Sequence, residues 1–79
     1  MRLDKFLKVS RLIKRRTVAK EACSLGRVRI NGRIAKPGSE VKIGDILEIK
    51  FGDQSSRYEV LDINETVKKN EAAQLFKKL

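Results

Sequence analysis

The segment Val28-Arg29-Ile30-Asn31-Gly32-Arg33-Ile34-Ala35-Lys36 leaves the centre of the chain little choice of structure. Asn-Gly is the strongest two-residue hairpin signal, because both central positions of a type I′ turn require φ > 0. On either side apolar residues alternate with cations, as they do in half-buried strands. Two short antiparallel strands are predicted, with one apolar face and one basic face that carries Arg29, Arg33 and Lys36.

What precedes the hairpin reads as helical. Leu3, Phe6, Leu7, Ser10 and Ile13 fall on one arc of a helix over residues 3–13, with Lys5, Lys8 and Arg11 on the other side. Leu12 then breaks the period within Arg11–Arg16, which predicts a cation-rich connection. Thr17 is a suitable N-cap for a second short helix presenting Val18, Ala19, Ala22, Cys23 and Leu25 to the core, and Gly26 can end it in the left-handed conformation. After the hairpin, Pro37-Gly38 and Gly44-Asp45 read as turns. Ile46–Phe51 is a longer strand, Gly52–Ser56 a turn, and Arg57–Ile63 an antiparallel return. The economical architecture is α+β, two helices on an antiparallel sheet of about four strands. Ala72, Leu75, Phe76 and Leu79 recur on one face of a predicted amphipathic C-terminal helix, which can dock on its own sheet or wait for a partner. The expected division is a domain over 1–64 and this helix over 65–79.

The charge is unevenly placed. Residues 1–36 hold twelve Lys or Arg against Asp4 and Glu21, a net +10; residues 37–79 hold seven against eight acidic residues, −1, giving the total of +9. Cations from the first helix, the Lys14-Arg15-Arg16 connection and the hairpin can share one surface, the electrostatic footprint of a polyanion partner. Phe6, Phe51, Tyr58 and Phe76 are all explicable as core or partly buried, so a base-stacking platform is not indicated. Cations without interleaved aromatics suit folded RNA read through phosphates and 2′-hydroxyls. A DNA-reading helix-turn-helix is the competitor, weakened because the second helix offers only Lys20, Glu21 and Ser24 outward.

Other classes lack parts. There is no histidine, and Cys23 is the single cysteine. The usual zinc sites and histidine-based nucleophile systems therefore cannot be assembled, and neither a metal nor a cofactor is expected. Cys23 reads as a small buried residue, and the absence of a disulfide framework points to a reducing compartment. No apolar run reaches the length of a signal peptide or membrane span, so a cytoplasmic protein with no membrane partner is expected. Small size and the lack of a large apolar patch favour a monomer.

Three residues invite individual readings. Thr17 after Arg15-Arg16 is either a phosphate site at a helix N-terminus or an ordinary cap. Asp4 balances a helix dipole or orients an arginine rather than performing chemistry. Arg2 and Arg16 read as freely exposed cations whose removal leaves folding nearly unchanged.

The motifs Arg2-Leu3-Asp4-Lys5-Phe6-Leu7, Arg16-Thr17-Val18-Ala19, Gly26-Arg27-Val28-Arg29-Ile30-Asn31-Gly32, Lys36-Pro37, Val41 and Gly44-Asp45-Ile46 follow one another as in the S4 RNA-binding domain, which residues 1–50 resemble. The resemblance implies an αL-type fold whose two helices and first hairpin form the RNA surface. It favours Arg2, Lys5, Arg16, Thr17, Lys20, Asn31 and Arg33 as RNA-binding residues, with Asn31 also shaping the hairpin. The charge map adds Lys8, Arg11, Lys14, Arg15 and Lys36. The stretch Leu7–Glu21 and Glu71-Ala72-Ala73 further resemble the small stand-alone members that serve ribosome-associated quality control. That implies binding to rRNA of a dissociated large ribosomal subunit and to P-site tRNA, in support of alanine tailing by an RqcH-like factor. The alternative is a chaperone or assembly cofactor for structured RNA in general.

Overall fold

The computed structural model describes residues 1–65, 72 and 74–79. Its elements run α1 (Leu3–Val9), α2 (Arg16–Ser24), β1 (Val28–Ile30), β2 (Arg33–Ile34), β3 (Ile46–Phe51), β4 (Gln54–Val60) and β5 (Phe76–Lys78). The strands form one antiparallel sheet in the order β2-β1-β3-β4-β5. Leu3, Phe6 and Leu7 from α1, Ala19 and Cys23 from α2, and Val28, Leu47, Ile49 and Val60 from the sheet close a single core.

The predicted turn at Asn31-Gly32 is present, with φ of 52° and 83°. Its register overturns the predicted basic face, however. A two-residue turn pairs Ile30 with Arg33 and Arg29 with Ile34, and paired residues share a face of the sheet. Arg33 therefore lies on the face of Val28 and Ile30, while Arg29 lies on the opposite face with the exposed Ile34. The second hairpin is tighter than predicted: Phe51 pairs with Gln54, so Gly52-Asp53 alone makes the turn and β4 begins at Gln54. Gly52 supplies its positive φ of 58°.

Both helices differ from expectation at one end. α1 stops at Val9 instead of reaching residue 13. The Ser10 hydroxyl donates to the Leu7 carbonyl at 3.2 Å, and Arg11 turns into the left-handed region at φ 66°. The Ile13 N–H then reaches back to the Leu7 carbonyl at 3.0 Å, delivering Ile13 to the core without helix. α2 begins two residues before its predicted start: Arg15 is the N-cap in place of Thr17, no side chain caps the helix, and Thr17 lies inside the first turn. Its end matches prediction. Gly26, at φ 74°, donates to the Cys23 carbonyl while Arg27 donates to that of Ala22, both at 3.0 Å, the paired bonds of a Schellman motif. Val18 and Leu25, predicted for the core, are 48% and 58% exposed and flank a groove with Phe51.

The C-terminal helix predicted over 65–79 is replaced at Phe76–Lys78 by β5, which pairs with β4 through Val60–Phe76, Glu59–Lys77 and Tyr58–Lys78. Residues 66–71 and 73 of that prediction lie outside the described residues. The apolar spacing there fits a helix, but β4 presents an edge whose backbone groups need partners. Tyr58 and Phe76 reward the pairing with an edge-to-face contact at 5.4 Å. Among the described residues the sheet thus has five strands, not four. Ala72 and Leu75 are buried, and Leu75 joins the core.

Candidate RNA-binding face

The N-terminal strand segment sets this face. Leu3 donates to the Ser39 carbonyl and Val41 to that of Met1, each at 2.8 Å, so Arg2 bridges to Glu40 immediately before α1 begins. Asp4 follows in the first turn of α1 and is wholly buried. Its Oδ1 accepts the Lys5 backbone N–H at 2.8 Å. Arg2 forks onto it, Nε to Oδ1 at 3.2 Å and Nη2 to Oδ2 at 3.3 Å. From the start of α2, Arg16 Nη2 stands 3.5 Å from the same Oδ1.

One buried carboxylate thus holds two guanidiniums whose side chains remain 53% and 47% exposed. Burial pushes the Asp4 carboxyl up, but the Lys5 N–H and the charges of Arg16 and Arg2 together outweigh it and hold the pKa below its ordinary value. The group stays ionised, the cluster nets one positive charge, and the outward N–H groups of both arginines are left for an acceptor. The prediction of freely exposed arginines is corrected here: each is also a partner of a buried charge.

Two concavities share Arg2 and Arg16 as a common wall. The smaller, about 200 Å³, is lined by Arg2, Arg16, Thr17 and Lys20; it lies where the first backbone N–H groups of α2 emerge and offers cations and a hydroxyl to a phosphate. The larger, about 490 Å³, adds Lys5, Met1, Gly38, Glu40 and Glu65. Across it Lys5 Nζ pairs with Glu65 Oε2 at 3.2 Å. The structure therefore gathers Arg2, Lys5, Arg16, Thr17 and Lys20. Lys8 on α1, Arg11 and Lys14 in the connection, Arg15 at the N-cap, and Arg33 and Lys36 beyond the Asn-Gly turn are exposed and line neither concavity.

Asn31 is committed locally. Its Nδ2 donates to Asp45 Oδ1 at 3.1 Å and its Oδ1 accepts the Ile46 N–H at 2.9 Å, locking the hairpin turn to the start of β3. Asp45 Oδ2 accepts the Lys42 N–H at 2.9 Å, which accounts for Gly44-Asp45 as a turn. Cys23 is buried, and burial, followed by the negative charge of Asp4, pushes its thiol up to about 11; it is protonated and unreactive at neutral pH. Sequence reasoning missed Glu40, Gly38 and Glu65 on this face. The Arg2–Glu40 bridge that brings two of them there is a contact between distant segments with no local signal.

Helices, hairpin and clustered cations define a small α+β module built to hold RNA. The S4 domain family matches residues 1–47. Over 76 residues the chain is 58% identical to the RQC P-site tRNA stabilizing factor of Halalkalibacterium halodurans, covering 96% of this chain and 86% of that protein. It is 55% identical to the factor of the same name from Bacillus subtilis, with 96% and 88% covered. A solved structure described as trimeric heat shock protein 15 of Vibrio cholerae superposes with a TM-score of 0.90 at 31% identity, covering all of this chain and 81% of that one. The chain belongs to the S4 domain family and, within it, to the family of RQC P-site tRNA stabilizing factors.

Proposed function

We propose that the protein is a non-enzymatic RNA-binding factor of ribosome-associated quality control. It binds rRNA of the dissociated large subunit together with the P-site tRNA of a stalled peptidyl-tRNA complex, and so supports alanine tailing of the nascent chain by an RqcH-like factor. It acts as a cytoplasmic monomer, and no described helix is long and apolar enough to cross a membrane. The RNA-binding residues are Arg2, Lys5, Lys8, Arg11, Lys14, Arg15, Arg16, Thr17, Lys20, Arg33 and Lys36, with Asn31 shaping the turn.

The observation that carries the reading is the Arg2–Asp4–Arg16 clamp, two half-exposed guanidiniums held on one buried carboxylate with the concavity of about 200 Å³ against them. Arginine forks match phosphate oxygens, and presetting them lowers the entropic cost of contact. The relatives, RQC P-site tRNA stabilizing factors by name, add the ribosomal address. The test is sedimentation of tagged protein from lysate on a gradient, with large-subunit fractions probed for peptidyl-tRNA. Co-migration with tRNA-bearing large subunits, lost in Arg16→Ala, is expected. Protein distributed over free RNA at the top of the gradient would instead make it a general RNA chaperone.

A further inference from the structure

The two concavities that flank the clamp differ in chemistry. The smaller presents Arg2, Arg16, Lys20 and Thr17 with no carboxylate, which suits a backbone phosphate and nothing more. The larger is lined by Arg2, Lys5 and Arg16 together with two acidic residues, Glu40 and Glu65, and by Met1 and Gly38. A surface that only tracked phosphates would gain nothing from carboxylates, which repel them. Its volume of about 490 Å³ lies in the range of roughly 300–1,000 Å³ typical of sites for small organic ligands.

We propose that this larger concavity receives one unstacked guanosine of the bound RNA, its 5′-phosphate on Arg2, Lys5 and Arg16 and its Watson–Crick edge on the Glu40 carboxylate. The inference rests on the RNA-binding reading and adds a base preference to it. Glu65 already neutralises Lys5 at 3.2 Å, so an arriving phosphate takes over that lysine and releases Glu65. Glu40 is exposed and forms no ion pair among the described residues. A carboxylate accepts two parallel N–H bonds, and guanine presents N1–H and the N2 amine side by side. Adenine and cytosine offer one exocyclic amine beside an acceptor nitrogen, which faces the second carboxylate oxygen with like polarity. Gly38 lacks a side chain where a ring must lie flat, and a Cβ there would meet only the Arg2 guanidinium, at 3.8 Å.

The experiment is a backbone-amide NMR titration of the whole chain with GMP, IMP, AMP and inorganic phosphate, followed by the trinucleotides UGU and UAU. All are expected to perturb Arg2, Lys5 and Arg16. GMP alone among the mononucleotides is expected to shift Gly38 and Glu40 strongly and to bind about tenfold tighter than AMP, the worth of a charge-assisted hydrogen bond at a solvated site. IMP, which keeps N1–H and lacks the amine, should fall between them. Glu40→Gln should remove most of the GMP advantage, and Lys50→Ala, outside the concavity, should leave it intact. UGU should bind more tightly than both UAU and GMP. Equal constants for all nucleotides, or no shift at Gly38 and Glu40 up to about 10 mM, a concentration at which even −3 kcal/mol of binding is visible, would overturn the proposal. GMP binding as tightly as UGU would also overturn it, in favour of a free nucleotide as ligand. Failure of structured RNA to bind at all would instead remove the RNA-binding reading.

Discussion

The helical face and the outer face of the sheet both carry arginines, and they treat them in opposite ways. On the sheet, Arg29 stands across from Glu48, and Glu48 across from Arg57; Glu59 faces Lys77 in the same manner. Each of these cations has an acidic neighbour on the adjacent strand, an arrangement that stabilises pairing by a few tenths of a kcal/mol to about 1 kcal/mol and leaves little net field. On the helical face, two arginines converge on one buried carboxylate, and Lys20 lines the adjoining notch without an acidic neighbour there. Placement, more than the count of cations, makes one face a polyanion site and the other a solvated sheet surface.

Removing the carboxylate on each face should separate them most sharply. Asp4→Ala leaves two guanidiniums and the Lys5 N–H without their shared acceptor, and we expect a loss of about 3 kcal/mol, near the lower end for breaking a buried charged pair because both arginines can turn to water. Glu48→Ala should cost no more than about 1 kcal/mol. Urea unfolding of both variants measures the difference, and equal losses would dissolve the contrast. The acid limb gives the same answer by another route. The folded-state pKa of Asp4 is depressed, so its contribution is fully present above the unfolded value of about 3.9 and is lost as pH falls through the lower folded value. Asp4→Asn should flatten that part of the thermal-midpoint profile.

Arginine removal comes next in size. Arg16→Ala and Arg2→Ala should each weaken RNA binding by about 1.5–3 kcal/mol, the range for hydrogen bonds to charged groups, and each should lower the salt slope by about one. For the intact protein, about six neutralised phosphates give a slope of order −4 to −5. Arg29→Ala and Arg57→Ala should change affinity by less than about 0.5 kcal/mol and leave the slope alone. Filter binding against salt checks both faces; equal slopes for all four variants would place the RNA on the sheet as well. Because Arg2 and Arg16 also partner Asp4, each substitution should cost some stability, about 1 kcal/mol, with the remaining arginine and the Lys5 N–H limiting the loss. Arg16→Lys should restore the charge and only part of the affinity.

The features legible in the sequence were those decided within a few residues. Asn31-Gly32 could only turn, and Gly26 could end α2 through bonds to carbonyls three and five residues back. The apolar spacing of Leu3, Phe6 and Leu7 sufficed to seat α1. What was not legible depended on partners far along the chain. The side on which Arg33 falls follows from the turn's pairing register, not from its alternation with Ile34. Phe76 becomes strand because β4 has an open edge, a fact no window around Phe76 contains. The candidate site divides in the same way. Arg2, Lys5, Arg16, Thr17 and Lys20 could be named from charge and resemblance, but their grouping into two concavities, and the presence of Glu40 on one of them, required the Arg2–Glu40 bridge.

The smallest expected effect tests whether the connection between the helices belongs to the binding face or only to the fold. Arg11 occupies the left-handed region at φ 66°, where a side chain costs roughly 1–2 kcal/mol. Glycine removes that penalty and adds about 0.5–1 kcal/mol of backbone entropy to be lost on folding. Arg11→Gly should therefore stabilise the protein by about 0.5 kcal/mol, while Arg11→Ala, which keeps the strained Cβ, should not. If Arg11 also meets a phosphate, both variants should weaken RNA binding equally and lower the salt slope by about one, because both lose the same charge. Equal stability of the two variants would show that the left-handed turn is unstrained. Unchanged binding would assign Arg11 to the turn alone and remove it from the RNA face.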